Sequence, residues 1–300
     1  MQLTSDDLML LSQQAISAAK QAGALIAQHA QQPISVQKKK GGDQLASQVV
    51  TEVDHLSQAL ILDILLPTCT TYDLALLTEE STDDKQRLKK EYFWCVDPLD
   101  GTLPFIESTP GYSVSIALVS RSGIPQIGVV YDPVKQTLYS AVRGQGAFRN
   151  GQPWTLPSLD VTTEKSLTLV CDRSLTQQPN YPNVIEALEQ MASQLDLAGV
   201  RVINQGGAVM NACWVIENHP ACYFKFPKPQ DGGGSLWDFA ATTCLFHELG
   251  AIVCDFYGQP LDLNRADSIF MNYRGAIFAT DSLLVEQIRA LYYDSSNSTI

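Results

Sequence analysis

Between residues 73 and 142 the chain packs five apolar runs close together: DLALLT (73–78), EYFWCV (91–96), SVSIALV (113–119), QIGVVY (126–131) and TLYSAV (137–142). Their connections are rich in Gly, Pro and Asp, and no long helical pattern separates them. Such a succession predicts a mostly antiparallel sheet. From about residue 160 the texture changes. Strand-like SLTLVC, GVRVIN, ACYFKF and AIVCDFY alternate with helical VIEALEQMASQL, AVMNACWVIEN, LWDFAATTCLFHEL and SLLVEQIRALYY. That alternation predicts an α/β half. Two lobes, 1–160 and 161–300, are therefore expected within one continuous fold.

Two helices precede the sheet. Ser5, Asp6 and Asp7 make a helix start, and Leu8, Leu11, Ala15, Ala19, Ala22 and Ile26 follow at helical spacing. A second face carries Val53, Leu56, Leu60, Ile61 and Ile64 and is expected to end before Pro67. QKKKGGDQ, with its run Lys38–Lys40 ahead of Gly41 and Gly42, reads as an exposed loop. SSNST near the end reads as a polar tail.

At 45% hydrophobic and 17% charged residues, the chain can bury a substantial core. Twenty basic against 32 acidic residues leave a formal charge of −12, which argues against a general nucleic-acid binder. No run approaches the roughly eighteen apolar residues of a membrane span. The opening MQLTSDDLML lacks a signal peptide's basic start, and the seven cysteines contain no C-x-x-C pair. These features predict reduced thiols in a cytoplasmic protein. The four histidines have no zinc-type spacing, so any metal is expected to have oxygen ligands.

Acidic groups end three apolar runs. LALLTEES carries Glu79 and Glu80, WCVDPLDGT carries Asp97 and Asp100, and SLWDFAA carries Asp238. Taken singly, each has a plain reading: an acidic turn, Asp-Pro and Asp-Gly turn chemistry, and a first-turn acid on a helix. Their conjunction points elsewhere. Pro98 and Gly101 can aim Asp97 and Asp100 at one point, with the Leu99 carbonyl between them as a third oxygen. The backbone N–H groups of Gly101 and Thr102 can face an anion. Hard oxygens beside anion donors describe a magnesium-dependent phosphate site.

The string DPLDGT, preceded by TEES and followed far downstream by LWDFAA, resembles the inositol monophosphatase superfamily, whose members are magnesium-dependent and lithium-sensitive phosphomonoesterases. VVTEVD (49–54), GVVYDP (128–133), GQGAFRNG (144–151) and ELGAIVCDFYGQPL (248–261) resemble further family segments in the same order. The resemblance implies a layered α-β-α-β-α fold, with an antiparallel N-terminal sheet, a smaller mixed C-terminal sheet and the active site at their junction. It implies two or three Mg²⁺ ions held by Glu79, Asp97, the Leu99 carbonyl, Asp100 and Asp238. Asp54 and Thr102 fall on the family's water-activating pair, with Glu79 as a further proton acceptor. Gly101 and Thr102 fall on its phosphate cradle. Glu80 is left outside the ligand set, and Cys95 is expected to be core. A homodimer is left open.

Three positions depart from the family pattern: Leu103-Pro104 after DGT, Gln48 ahead of the V-T-x-x-D segment, and Asp231 in DGGGS. Seven residues before Asp238, Asp231 stands where inositol phosphatases carry a Glu for a ring hydroxyl. With Gly206 and Gly207 it is expected to contact the leaving group. Lys225 and Lys228 read as exposed lysines or as contacts for a second phosphate. The expected reaction is hydrolysis of a small phosphate monoester by a metal-activated water. An inositol-type monophosphate ranks slightly ahead of adenosine 3′,5′-bisphosphate, and fructose 1,6-bisphosphate is third. A non-catalytic homologue that keeps the metal cage, and a metal-free structural protein, are the rivals from other classes.

Overall fold

The computed structural model describes residues 2–30, 36–38, 49–156 and 165–297. Lys39–Gly42, Gln48, the stretch around residue 160 and Ser298–Thr299 lie outside the described residues.

Helix α1 (Ser5–His29) starts one residue earlier than its acids suggest. Thr4 is the cap: Asp7 donates its N–H to Thr4 Oγ1 at 3.2 Å and Thr4 returns its own to Asp7 Oδ2 at 2.8 Å. Its buried face is mostly alanine (Ala15, Ala18, Ala19, Ala22), which lets the helix lie close on the sheet. At Gly23 a Cβ would stand 2.2 Å from the Tyr131 ring, so no larger residue fits there.

A short antiparallel ladder, β1 (Val36–Lys38) with β2 (Val49–Thr51), leads into α2 (Glu52–Tyr72). This helix does not stop before Pro67. It runs five residues past it, to a left-handed cap at Asp73. Pro67 is exposed, so the carbonyl it leaves unpaired faces water. Leu65 and Thr68 beside it are buried, and Trp94 Nε1 donates to Thr68 Oγ1 at 2.9 Å. Tertiary packing outweighs the local break. Leu56, expected on the buried face, is exposed, and Asp54, Ser57 and Gln58 are buried instead.

The large sheet contains β3 (Ala75–Thr78), β4 (Tyr92–Asp100), β5 (Ser113–Ser120), β6 (Pro125–Asp132), β7 (Thr137–Val142), β8 (Gly146–Arg149) and β9 (Gln152–Trp154), side by side in chain order. All its pairs are antiparallel except β3 with β4. A short helix, α3 (Thr102–Ile106), separates β4 from β5.

Beyond it come β10 (Leu167–Val170), α4 (Tyr181–Gln194), β11 (Val200–Ile203), α5 (Ala208–Glu217), β12 (Ala221–Lys225), α6 (Leu236–Leu249), β13 (Ile252–Cys254), β14 (Ala276–Ala279) and α7 (Ser282–Asn297). The five strands form a mixed sheet in the order β11-β10-β12-β14-β13, parallel around β10 and antiparallel around β14. Strand β14 escapes the sequence pattern, since AIFA is a four-residue run between turns.

Three apolar cores separate five layers. One lies under α1 and α2, one holds α5 and α6 between the two sheets, and one lies under α4 and α7. Helix α6 is apolar almost all round because a sheet faces it on either side. Trp94, Phe239, Phe246 and Phe278 are fully buried, and each contributes about 1.5–3 kcal/mol relative to exposure. The layering is α-β-α-β-α, as the resemblance implied.

Candidate active site

In a regular strand, residues three apart point to opposite faces. Asp97 and Asp100 do not. On β4 they stand three positions apart, while their partners on β5, Ser115 and Ser113, are two apart. The extra residue is a β-bulge, and it swings both aspartates to one side. DPLDG is therefore not the turn its composition suggests; β4 continues through it to Asp100. Asp97 Oδ1 accepts the Leu99 N–H at 3.0 Å, and Ser57 Oγ donates to the Pro98 carbonyl at 2.7 Å.

Glu79 arrives from the neighbouring strand. Thr78 pairs with Val96, and the Glu79 N–H continues the ladder onto the Val96 carbonyl at 3.1 Å. That places Glu79 beside Asp97, where its charge adds to the crowding of the Asp97 carboxyl. Asp238 comes from far along the chain, in the first turn of α6, where its Oδ2 accepts the Ser235 N–H at 2.9 Å. Oxygens of Asp97, Asp100 and Asp238 lie within 4.8 Å of one another.

Asp100 is held from the C-terminal half as well. Its Oδ1 accepts the Ala208 N–H at 3.1 Å and its Oδ2 accepts the Val209 N–H at 3.0 Å, both from the first turn of α5. Gly207 makes this approach feasible. A Cβ there would stand 2.4 Å from Asp100 Oδ2 and 2.7 Å from the Gly101 Cα. Gly101 has φ +80°, and a Cβ on it would meet the Gly111 carbonyl at 2.6 Å. Both positions need glycine, for space or for backbone.

Thr102 and Asp54, far apart in sequence, also meet. Thr102 Oγ1 lies 3.1 Å from Asp54 Oδ1 and 3.3 Å from the Leu99 carbonyl. The other Asp54 oxygen accepts from Thr51 N–H at 2.8 Å and Thr51 Oγ1 at 2.6 Å, which caps α2 and fixes the carboxylate.

Burial, reinforced by the neighbouring carboxylates Glu79, Asp100 and Asp238, holds Asp97 well above the usual carboxylate range. Burial and Asp238 do the same for Asp100, against the Val209 amide. Asp238 is pushed up to about 6 by burial, with Lys225 opposing and Glu79 adding. Crowded buried carboxylates of this kind call for countercharge. Their hard oxygens, with Leu99 also lining the cavity, fit Mg²⁺. Burial pushes the Cys95 thiol far up, which leaves it no role as a nucleophile.

Glu79, Asp97, Leu99, Asp100, Gly101, Thr102 and Asp238 line a cavity of about 570 Å³, and Asp54 stands behind Thr102 outside that lining. Gly206 and Gly207 line it, but Asp231 is exposed and is not among the lining residues. The stretch 226–235 is pinned to another loop: Lys228 N–H donates to the Asn272 carbonyl at 2.8 Å and Met271 N–H to Gly234 at 2.9 Å. This course carries Asp231 outward and lines the cavity with Gly232–Gly234. Lys225, read as an exposed lysine or as a contact for a second phosphate, lines the cavity with its side chain 16% exposed, paired to Asp172 at 2.9 Å. Sequence reading missed Asp172. The available signal was position: both residues stand at the carboxyl ends of adjacent parallel strands.

In metal-free protein the raised carboxylates set a pH dependence. Below about pH 4 these groups are protonated folded or unfolded. As pH rises from about 4, the unfolded chain has released protons that Asp97, Asp100 and Asp238 still retain when folded, so stability falls until the folded groups ionise too, at about 6 for Asp238. The rise in Tm on adding Mg²⁺ is therefore expected to be small at pH 5 and to grow through pH 8. Thermal melts with and without Mg²⁺ across that range check this; a constant increment would contradict it.

The profile of the inositol monophosphatase family matches residues 7–289. The Nus factor SuhB of Escherichia coli (strain K12) is 32% identical over 247 residues, covering 81% of this chain and 84% of that protein. The inositol-1-monophosphatase of Synechocystis sp. is 31% identical over 248 residues, covering 81% and 76%. The structure of inositol monophosphatase from Anabaena (Nostoc) sp. PCC 7120 superposes with a TM-score of 0.68 at 26% identity, covering 95% and 96%. Fold and site together define a phosphoric monoester hydrolase. The chain belongs to the inositol monophosphatase family. Among the described residues, no helix is long and apolar enough to cross a membrane.

Proposed function

We propose that this chain is a Mg²⁺-dependent phosphatase that hydrolyses a small phosphate monoester by in-line attack of water, with an inositol-monophosphate-type substrate ahead of adenosine 3′,5′-bisphosphate. The observation that carries the reading is the convergence of Asp97, Asp100 and Asp238 oxygens within 4.8 Å, from β4 and α6, in a cavity also lined by Glu79. Glu79, Asp97, Asp100, Asp238 and the Leu99 carbonyl would hold two or three ions. When bound, Mg²⁺ supplies Lewis-acid activation of water and countercharge for the phosphoryl oxygens.

The chain's own residues supply the rest. Gly101 and Thr102 direct backbone N–H groups at the phosphoryl oxygens, which orients the ester for displacement. Asp54 Oδ1 accepts the Thr102 hydroxyl proton, leaving a Thr102 Oγ1 lone pair to accept from the attacking water. Asp54 cannot swing away, because Thr51 occupies its second oxygen. Glu79 is a second proton acceptor beside Asp97. The walls around Gly206 and Gly207 receive the departing alcohol, here proposed to be a polyol.

Phosphate release from a panel led by inositol 1-phosphate and adenosine 3′,5′-bisphosphate tests this. Release is expected in Mg²⁺ and not in EDTA, and inositol 1-phosphate is expected to be the better substrate. No release from any monoester would remove the phosphatase reading. Undiminished release in EDTA would remove its metal.

A further inference from the structure

Lys225 and Asp172 take no part in the scheme above, yet both line its cavity. We infer that they form the specificity-determining pair that reads a hydroxyl group on the departing alcohol. This assignment rests on the phosphatase reading.

The fold builds the pair deliberately. Strands β10 and β12 are parallel neighbours with Val170 opposite Tyr223. Two residues further on, Asp172 and Lys225 leave the carboxyl edge together, where parallel sheets receive ligands. Lys225 Nζ lies 2.9 Å from Asp172 Oδ2. Asp172 is fixed in turn, since its Oδ1 accepts from Asn211 Nδ2 at 3.1 Å and from the Tyr223 hydroxyl at 3.0 Å. The ammonium sits 5.8 Å from the Phe239 ring centre.

An ammonium has three donors, and Asp172 engages one; an ionised carboxylate oxygen retains acceptor capacity beside it. A donor and an acceptor side by side complement a hydroxyl, which both gives and takes a hydrogen bond. The pair is close to neutral as a unit, so a second phosphate placed there meets the Asp172 charge along with the lysine. The next cation on the wall, Arg173, is already committed to Glu107 by two contacts at 2.8 and 2.6 Å. A leaving group with no hydroxyl would cover these charged groups without replacing their water, which a polar site rejects. Leu103, Pro104, Trp237 and Phe270 supply apolar wall in the same cavity, suited to the C–H surface of a hydroxylated ring.

Steady-state kinetics on inositol 1-phosphate and p-nitrophenyl phosphate, with adenosine 3′,5′-bisphosphate as the anionic competitor, test the assignment. Lys225→Met is expected to lower the kcat/KM ratio of inositol 1-phosphate to p-nitrophenyl phosphate by about 10- to 100-fold, mainly through KM. Asp172→Asn should lower the same ratio, and Lys225→Arg should keep most of it. Equal losses on both substrates, or an unchanged ratio, would overturn the assignment. So would a wild-type preference for the bisphosphate that collapses in Lys225→Met, since that marks an anion reader. Should Lys225→Met fail to fold by circular dichroism, Asp172→Asn decides alone. Wild-type protein releasing phosphate from none of the three would instead remove the phosphatase reading, and this assignment with it.

Discussion

Asp97→Asn is expected to reduce turnover on the order of 10³-fold and, at the same time, to raise the Tm of the metal-free protein. The two effects have one cause. Asp97 is 1% exposed and faced by Glu79, Asp100 and Asp238. As a proposed Mg²⁺ ligand it supplies charge that a neutral amide lacks, and loss of such a preorganised group costs about 10²–10³ in rate even when only one contact is removed. In metal-free protein the same charge is a liability, because buried like charges repel. Asparagine keeps the shape, and its Oδ1 can still accept the Leu99 N–H. Phosphate release and thermal melts with and without Mg²⁺ are the measurements. Near-normal turnover, or an unchanged Mg²⁺-induced rise in Tm, would remove Asp97 from the ligand set.

Gly207→Ala should be nearly as damaging, although alanine is at ease with the backbone there (φ −66°, ψ 171°). Its methyl would enter space held by Asp100 Oδ2 at 2.4 Å and the Gly101 Cα at 2.7 Å. Overpacking of this kind costs about 1–3 kcal/mol, and the atoms that must yield are those of the proposed cage and cradle. The expected result is a fall in kcat of about a hundredfold, since sub-ångström misplacement of reacting groups is already costly. Circular dichroism should remain native. Unchanged kcat with an unchanged Mg²⁺ requirement would show that the close approach is not needed.

Much of the architecture was legible because strands buried on both faces read as plain apolar runs, as FWCV and SIALV do. Motif spacing brought out the acidic groups. Register did not come through, and the largest surprises arise there. The bulge between Asp97 and Asp100 is a mismatch between two strands, so DPLDG looked like a turn when read on one chain segment. Pro67 looked like a stop because the contacts that carry α2 beyond it, Thr68 with Trp94, come from a strand 26 residues away. Lys225 stayed undecided between surface and cavity because its partner Asp172 is visible only once β10 and β12 are set side by side. Asp231 looked inward because counting back from Asp238 ignores the tie between Lys228 and Asn272 that redirects the loop.

Asp100 belongs to β4 yet takes its hydrogen bonds from α5, and Asp238 follows later still, on α6. Under the proposed scheme, catalytic competence is thus scheduled late in synthesis. A nascent chain can form its first sheet early, but the acidic cluster closes only after about residue 249 has cleared the ribosome and both halves have docked. Until then the protein holds an incomplete set of acids on a finished strand, and no partial product of translation can work as a miniature of the whole.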